Sequence, residues 1–111
     1  MKYSFEDHGS TMVIRMSGEL TLDQCDGFRR SLYERLSDRE IDVVADFEHL
    51  TLIDSAGLEM LLALNQDITE RGGQFRIASP DETVRKILEA TRLDRLFDVH
   101  GTLEMAARSL R

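Results

Sequence analysis

The stretch Leu50-Thr51-Leu52-Ile53-Asp54-Ser55-Ala56-Gly57-Leu58 decides how this chain is read. An apolar strand end passes into Asp54-Ser55-Ala56-Gly57, and a periodic apolar segment starts at Leu58. That order predicts a strand running straight into a helix. The first N–H groups of a helix have no intrahelical partner, and a serine in front of them can accept from the N–H two or three residues on. Ser55 is therefore expected to cap the helix. Ala56 and Gly57 are too small to bury its hydroxyl, so it stays reachable from solvent beside the Asp54 carboxylate. A reachable hydroxyl at the positive end of a helix is a place where a phosphate can sit. Most serines in this position only cap, and the stretch alone leaves both roles open.

Upstream, Ile41 to Phe47 is a short run rich in β-branched residues, expected to be the central strand. Glu48-His49-Leu50-Thr51 is expected as the loop after it, with Ile53 leading into the Ser55 junction. Downstream, the spacing predicts a helix from Ala56 to about Arg71 that buries Leu58, Leu61, Leu62, Leu64 and Ile68. Gly72-Gly73 ends it. This double glycine precedes a strand and lacks the Lys and Ser/Thr of a phosphate loop, which argues against nucleotide binding there. Gln74 to Ala78 reads as the next strand, with Phe75 and Ile77 on one face. Ser79-Pro80-Asp81-Glu82 predicts a helix start, with Ser79 as cap, Pro80 in the first helical position and Glu82 closing a capping box. Val84, Ile87 and Leu88 form its buried stripe. Leu93, Leu96 and Phe97 are expected to pack next, Phe97 to His100 to form a short strand, and Thr102 to cap a last helix carrying Leu103, Ala106, Ala107 and Leu110.

At the other end, Tyr3 and Phe5 alternate with polar neighbours, Asp7-His8-Gly9-Ser10 supplies a turn, and Met12, Ile14 and Met16 alternate again. This is a β-hairpin pattern. Gly18-Glu19-Leu20-Thr21 is expected to leave the sheet. Cys25, Phe28, Leu32 and Leu36 then recur at intervals of three and four, predicting a helix over Leu22 to Leu36, with Cys25 as a small core residue. The order β-β-α-β-α-β-α-β-α implies an α/β fold. It should hold a single-layer mixed, mainly parallel sheet with an N-terminal β-hairpin and helices mainly on one face.

The chain has 111 residues, read as a single domain over 1–111. Hydrophobic residues make up 41% and charged residues 32%, a globular balance. With 21 acidic against 14 basic side chains the net charge is −7, which disfavours nucleic acid and anionic membranes as partners. No apolar run approaches the roughly 18 residues of a membrane span. Met1 to Asp7 has no secretory pattern, and a lone cysteine fits a reducing compartment, so a cytoplasmic protein without membrane insertion is expected. A hydrolase would pair Ser55 with His49 and a carboxylate such as Asp46, but no Gly-x-Ser-x-Gly elbow is present and no catalytic residue is assigned. His8, His49, His100 and Cys25 lie in separate segments without metal-ligand spacing, and no cofactor is expected. Asp46, Glu48, Asp54 and Glu59 read as a solvated acidic rim.

Val43-Val44-Ala45-Asp46-Phe47, then Ile53-Asp54-Ser55-Ala56-Gly57-Leu58, then Leu61-Leu62, resembles the signature of the STAS family. That family includes the bacterial anti-sigma factor antagonists, with the pattern hydrophobic-Asp-Ser-small-Gly-Leu. The resemblance runs from Gly18-Glu19-Leu20 through Leu93 and Phe97 to the final helix, and implies the same α/β architecture. It also implies a binding module with a covalent switch: the partner is an anti-sigma factor serine kinase that phosphorylates Ser55, and a PP2C-type phosphatase restores it. The partner surface implied comprises Gly18, Glu19, Leu20, Thr21, Asp46, Thr51, Asp54, Ser55, Ala56, Gly57 and Glu59, and includes the expected loop from Glu48 to Leu52. Many relatives carry Asp where Thr21 stands, and some carry a serine where Ala56 stands. A second reading is open: STAS domains also serve as scaffold subunits of membrane transport machinery, more often with a Thr-Gly version of the motif.

Overall fold

In the computed structural model, which describes residues 1–37 and 41–110, the chain opens with the hairpin β1 (Lys2–His8) and β2 (Thr11–Leu20). It continues through α1 (Leu22–Leu36), β3 (Asp42–Ile53), α2 (Ser55–Glu70), β4 (Phe75–Ala78) and α3 (Glu82–Ala90). A 3₁₀ turn (Leu93–Arg95), β5 (Asp98–His100) and α4 (Leu103–Arg108) complete it. The five strands lie side by side in the order β1-β2-β3-β4-β5. β1 and β2 are antiparallel and every later pair is parallel, as the alternation of strands and helices implies.

The strand period of two divides the side chains between two faces. Met12, Ile14 and Met16 of β2, Val43, Ala45 and Phe47 of β3, and Phe75 and Ile77 of β4 join the main core. The stripe Cys25, Phe28, Leu32 and Leu36 of α1 packs on them, with Leu58, Leu61, Leu64 and Ile68 of α2 and Val84 and Leu88 of α3. The opposite face has a smaller cluster in which Ala106 of α4 covers Val44 and Ala78, flanked by Leu103 and Leu110. Three helices thus share one face and α4 alone takes the other. Among the described residues no helix is long and apolar enough to cross a membrane.

Several expectations are corrected. Glu48-His49-Leu50-Thr51 is not a loop, because β3 continues unbroken to Ile53; likewise Gly18, Glu19 and Leu20 stay in the sheet as the end of β2. The pairs Ser17–His49, Gly18–Leu50, Glu19–Leu52 and Leu20–Ile53 keep the two strands together. Register shifts between Arg15 and Ser17 and between Gly18 and Glu19 absorb residues that break the alternation. The cap of α3 is Asp81, whose carboxylate accepts from the Val84 N–H at 2.8 Å. Ser79 instead adopts φ 57° and donates its N–H to the His100 carbonyl, tying β4 to β5, so the helix starts after Pro80 and Asp81. Leu96 is 58% exposed, whereas Phe97 is buried edge-on to Phe75 at 6.0 Å. On the helices, Leu62 is only half-buried and Ala107 is exposed.

The double glycine ends α2 for two separate reasons. Gly72 has φ 89°, a left-handed stop, and Gly73 lies so close to the next segment that a Cβ would fall 2.1 Å from the Ile41 carbonyl oxygen. Backbone cannot give way as a side-chain tip can. Gly73→Ala is expected to destabilise the fold by about 2–3 kcal/mol, read as a lower urea midpoint with an unchanged slope. Gly101→Ala, where a Cβ meets nothing within 4 Å, is expected to stay within about 0.5 kcal/mol of wild type.

Candidate functional site

The site forms where the carboxyl ends of β2 and β3 release α1 and α2. Asp54, between β3 and α2, donates its N–H to the Leu20 carbonyl at 3.1 Å, fixing the two strand ends together. One oxygen of its carboxylate accepts from the Gly57 N–H at 2.9 Å, in the first turn of α2. The other accepts from the Leu22 N–H at 2.9 Å, the first residue of α1. Thr21, at the N-cap position of α1, makes no side-chain cap bond. A single carboxylate therefore caps two helices, and the two helix dipoles converge on it. These N–H donors, Gly57 foremost and then Leu22, hold the Asp54 carboxyl below the usual carboxylate range.

This overturns the expectation that Ser55 caps α2. Asp54 does so, and Ser55 becomes the first helical residue. The change sharpens the chemistry. A capping hydroxyl would be occupied by a backbone donor; the Ser55 side chain is exposed and released from that duty. Gly57 explains the small residues that follow. A Cβ there would meet the Leu20 carbonyl oxygen at 2.6 Å and the Ile53 side chain at 2.9 Å, so only glycine lets α2 start directly against the end of β2.

Of the residues implied as partner-binding, the structure brings Gly18, Glu19, Leu20, Thr21, Thr51, Asp54, Ser55, Ala56 and Gly57 to one end of the sheet. Thr51 donates its hydroxyl to the Gly18 carbonyl at 3.1 Å, and Gly18 adopts φ 91° next to the register shift. Glu59 is exposed on α2, one turn on from Ser55. Asp46 does not join them, and it is no part of a solvated rim. It is 5% exposed, two residues after Val44 on the α4 side of β3, and its carboxylate accepts from Arg15 at 2.8 Å and from the Glu48 N–H at 3.1 Å. Its contacts serve the sheet. Cys25 is buried as expected, its thiol donating to the Thr21 carbonyl at 3.3 Å. Burial first, and then the Asp54 charge, raise the thiol above its ordinary range, away from thiolate chemistry.

Leu22 escapes the sequence reading as an exposed apolar group, while Leu52 lies in the Glu48 to Leu52 stretch already expected at the partner surface. Leu22 is 68% exposed and Leu52 is 37% exposed, both at the junction that carries Ser55. Leu22 lies three residues before Cys25, on the spacing of the buried stripe, but the first turn of α1 projects past the core. For Leu52 the strand alternation is reset by the shift between Gly18 and Glu19. Among the described residues no group of His, Cys, Asp and Glu is arranged to hold a metal ion.

A model of the STAS domain matches residues 2–106. A STAS-domain containing protein of Pseudomonas aeruginosa is 30% identical over 91 residues, 82% of this chain and 89% of that protein. The anti-sigma F factor antagonist of Paenibacillus polymyxa is 24% identical over 101 residues, 90% of this chain and 86% of that one. The solved structure of the anti-sigma factor antagonist SpoIIAA in its unphosphorylated form superposes with a TM-score of 0.84 at 24% identity, covering 99% of this chain and 96% of that one. The solved structure of the Bacillus cell fate determinant SpoIIAA in its phosphorylated form superposes with a TM-score of 0.75 at 23% identity, covering 99% of this chain and 100% of that one.

The double cap sets a pH dependence. A carboxyl depressed in the folded state contributes stability above its unfolded pKa, and that contribution is lost as pH falls through the folded value. Asp54→Asn is expected to melt several degrees below wild type at neutral pH. The gap should begin to narrow as pH falls below about 4, the ordinary aspartate range of the unfolded chain, and close as it falls further through the lower folded value. Thermal melts of both proteins across that range check it; a gap independent of pH would contradict the double-cap assignment.

Proposed function

Because the chain belongs to the STAS domain family, we propose on that premise that it is an anti-sigma factor antagonist whose grip on its partner is switched at Ser55. The partner is an anti-sigma factor that is also a serine kinase; a PP2C-type phosphatase returns the hydroxyl, all within the cytoplasm. The observation that carries this reading is the exposed Ser55 hydroxyl at the start of α2, left unoccupied because Asp54 takes the cap. The relatives named anti-sigma factor antagonists support the role, and a serine in this position supports the switch.

The physical consequences of a phosphate at Ser55 have opposite signs for folding and for binding. A phosphate adds about −1.5 to −2 charges at neutral pH and three strong acceptor oxygens. Next to the unpaired N–H groups of a helix start that charge is locally welcome, so the fold survives. Against a docked partner the same group sits next to the Asp54 carboxylate, at the end of the sheet where Leu22 and Leu52 are exposed, and both desolvation and repulsion count against it. A loss of about 3 kcal/mol, in the range for an uncompensated buried charge, lowers affinity by roughly two orders of magnitude. Leu22 and Leu52 supply the apolar anchor, and Gly18 to Thr21, Thr51 and Glu59 the surrounding rim.

Incubation with ATP and an extract of the source cells should give a single phosphate adduct on the wild type and none on Ser55→Ala, read by intact mass. Ser55→Asp should weaken partner binding by about a hundredfold while its circular dichroism and melting curve stay close to wild type. An unfolded Ser55→Asp protein would sink the switch, since lost binding would then be trivial. Absence of any adduct, together with a transporter ATPase recovered on pull-down, would instead establish the scaffold reading. Leu22→Ala should lower partner affinity about tenfold without shifting the melting curve, because its side chain contributes little to the core.

A further inference from the structure

The two edges of the sheet are unlike. β5 is three residues long and runs at once into Gly101 and α4. β1 is seven residues long, and its register to β2 runs without a shift from Lys2–Ser17 to His8–Thr11. Its only hydrogen-bonded neighbour among the described strands is β2. An edge strand displays a row of backbone donors and acceptors, and proteins that must avoid pairing there usually shorten, bulge or interrupt it with proline. β1 is neither shortened, bulged nor broken by proline; of the usual safeguards it carries charges, and these are of both signs, Lys2 against Glu6 and Asp7.

Its side chains are ordered for contact. On one face Lys2 and Ser4 are exposed and Glu6 is half-buried. Arg15 at 2.5 Å and then His8 hold the Glu6 carboxyl below the usual range, so it stays ionised. On the other face Tyr3 and Phe5 are half-buried with ring centroids 5.5 Å apart. Phe28 lies edge-on to Tyr3 at 4.9 Å, and the Tyr3 hydroxyl is hydrogen-bonded to Ser31 at 2.9 Å. The two rings are held in place and only half-buried, with the Arg35 guanidinium over the Phe5 ring at 5.4 Å.

We propose that β1 pairs antiparallel with β1 of a second copy of this chain, joining the sheets edge to edge about a two-fold axis at Ser4. A two-fold axis normal to a continuous sheet keeps each face on its own side, so opposed residues must have numbers with an even sum. Centring on Ser4 sets Lys2 against Glu6 of the second copy and Tyr3 against its Phe5, each twice. Centring on Phe5 sets Ser4 against Glu6, Lys2 against His8 and Tyr3 against Asp7, with no pairing of a permanent cation with a carboxylate. Directly opposed charges and aromatic pairs are what select a register between strands. The charge pattern of β1 selects Ser4.

Sedimentation of the whole chain from micromolar to millimolar concentration should show a reversible monomer–dimer equilibrium. Lys2→Glu and Glu6→Lys, each placing two like-charged pairs across the axis, should raise the dissociation constant about tenfold, and the combined exchange should bring it back near wild type. Ser4→Cys should give a disulfide-linked dimer under mild oxidation, because opposed Cα atoms in antiparallel strands are about 4.5–5.5 Å apart. The same cysteine in the Lys2→Glu background should link more slowly. Circular dichroism of each variant verifies that it is folded. A monomer at every concentration would overturn the proposal, as would a dimer indifferent to the single charge reversals or a Ser4→Cys protein that does not cross-link.

Discussion

The Asp54 carboxylate holds the ends of β2 and β3 and the starts of α1 and α2 in one piece. Two helices begin within one residue of two strand ends, and each start leaves backbone donors to be satisfied. Asp54 accepts from both, through different oxygens, while its own N–H closes the gap between β2 and β3. Remove it and Thr21 has no cap bond to offer α1, and Ser55 would have to turn inward to serve α2. The exposure of Ser55 is thus a consequence of its neighbour's chemistry, and the pattern Asp-Ser-small-Gly records a division of labour among four adjacent residues.

Much of this was legible in the sequence because the periodicities are clean. The stripe Cys25, Phe28, Leu32 and Leu36 bounds α1 at Leu22 and Leu36, and the alternation of Met12, Ile14 and Met16 belongs to β2. What was not legible has a common cause, namely long-range hydrogen bonds that local pattern does not carry. Glu48 to Thr51 looks like a loop in isolation and is a strand because β2 pairs with it. Ser79 looks like a helix cap and is recruited by the His100 carbonyl on a neighbouring strand. Ser55 and Asp54 are equally good caps on paper. Only the arrival of the Leu22 N–H from a distant segment favours the residue that can reach both helices.

The two faces of the sheet carry different duties. The α1–α3 side is apolar from β2 to β4 and supplies cohesion. The α4 side has its apolar cluster around Val44 and Ala78, and polar groups take over toward β1. There Arg15 is shared between the buried Asp46 and Glu6. A carboxylate as enclosed as Asp46 is tolerable because a cation and a backbone N–H meet it. This is why an acid that matches the family signature sits away from the serine: the signature combines residues of the site with residues that hold the sheet.

The seat of Gly57 bears on how the proposed phosphate would act. Where a helix start rests backbone against backbone, with the Leu20 oxygen occupying the space of a missing side chain, no hinge is left for a rigid-body tilt. A charge placed at the head of α2 cannot be passed on as leverage. It can only be read where it is written, by whatever touches that spot. Under the proposed switch, a phosphate on Ser55 acts by direct contact with whatever docks at the head of α2.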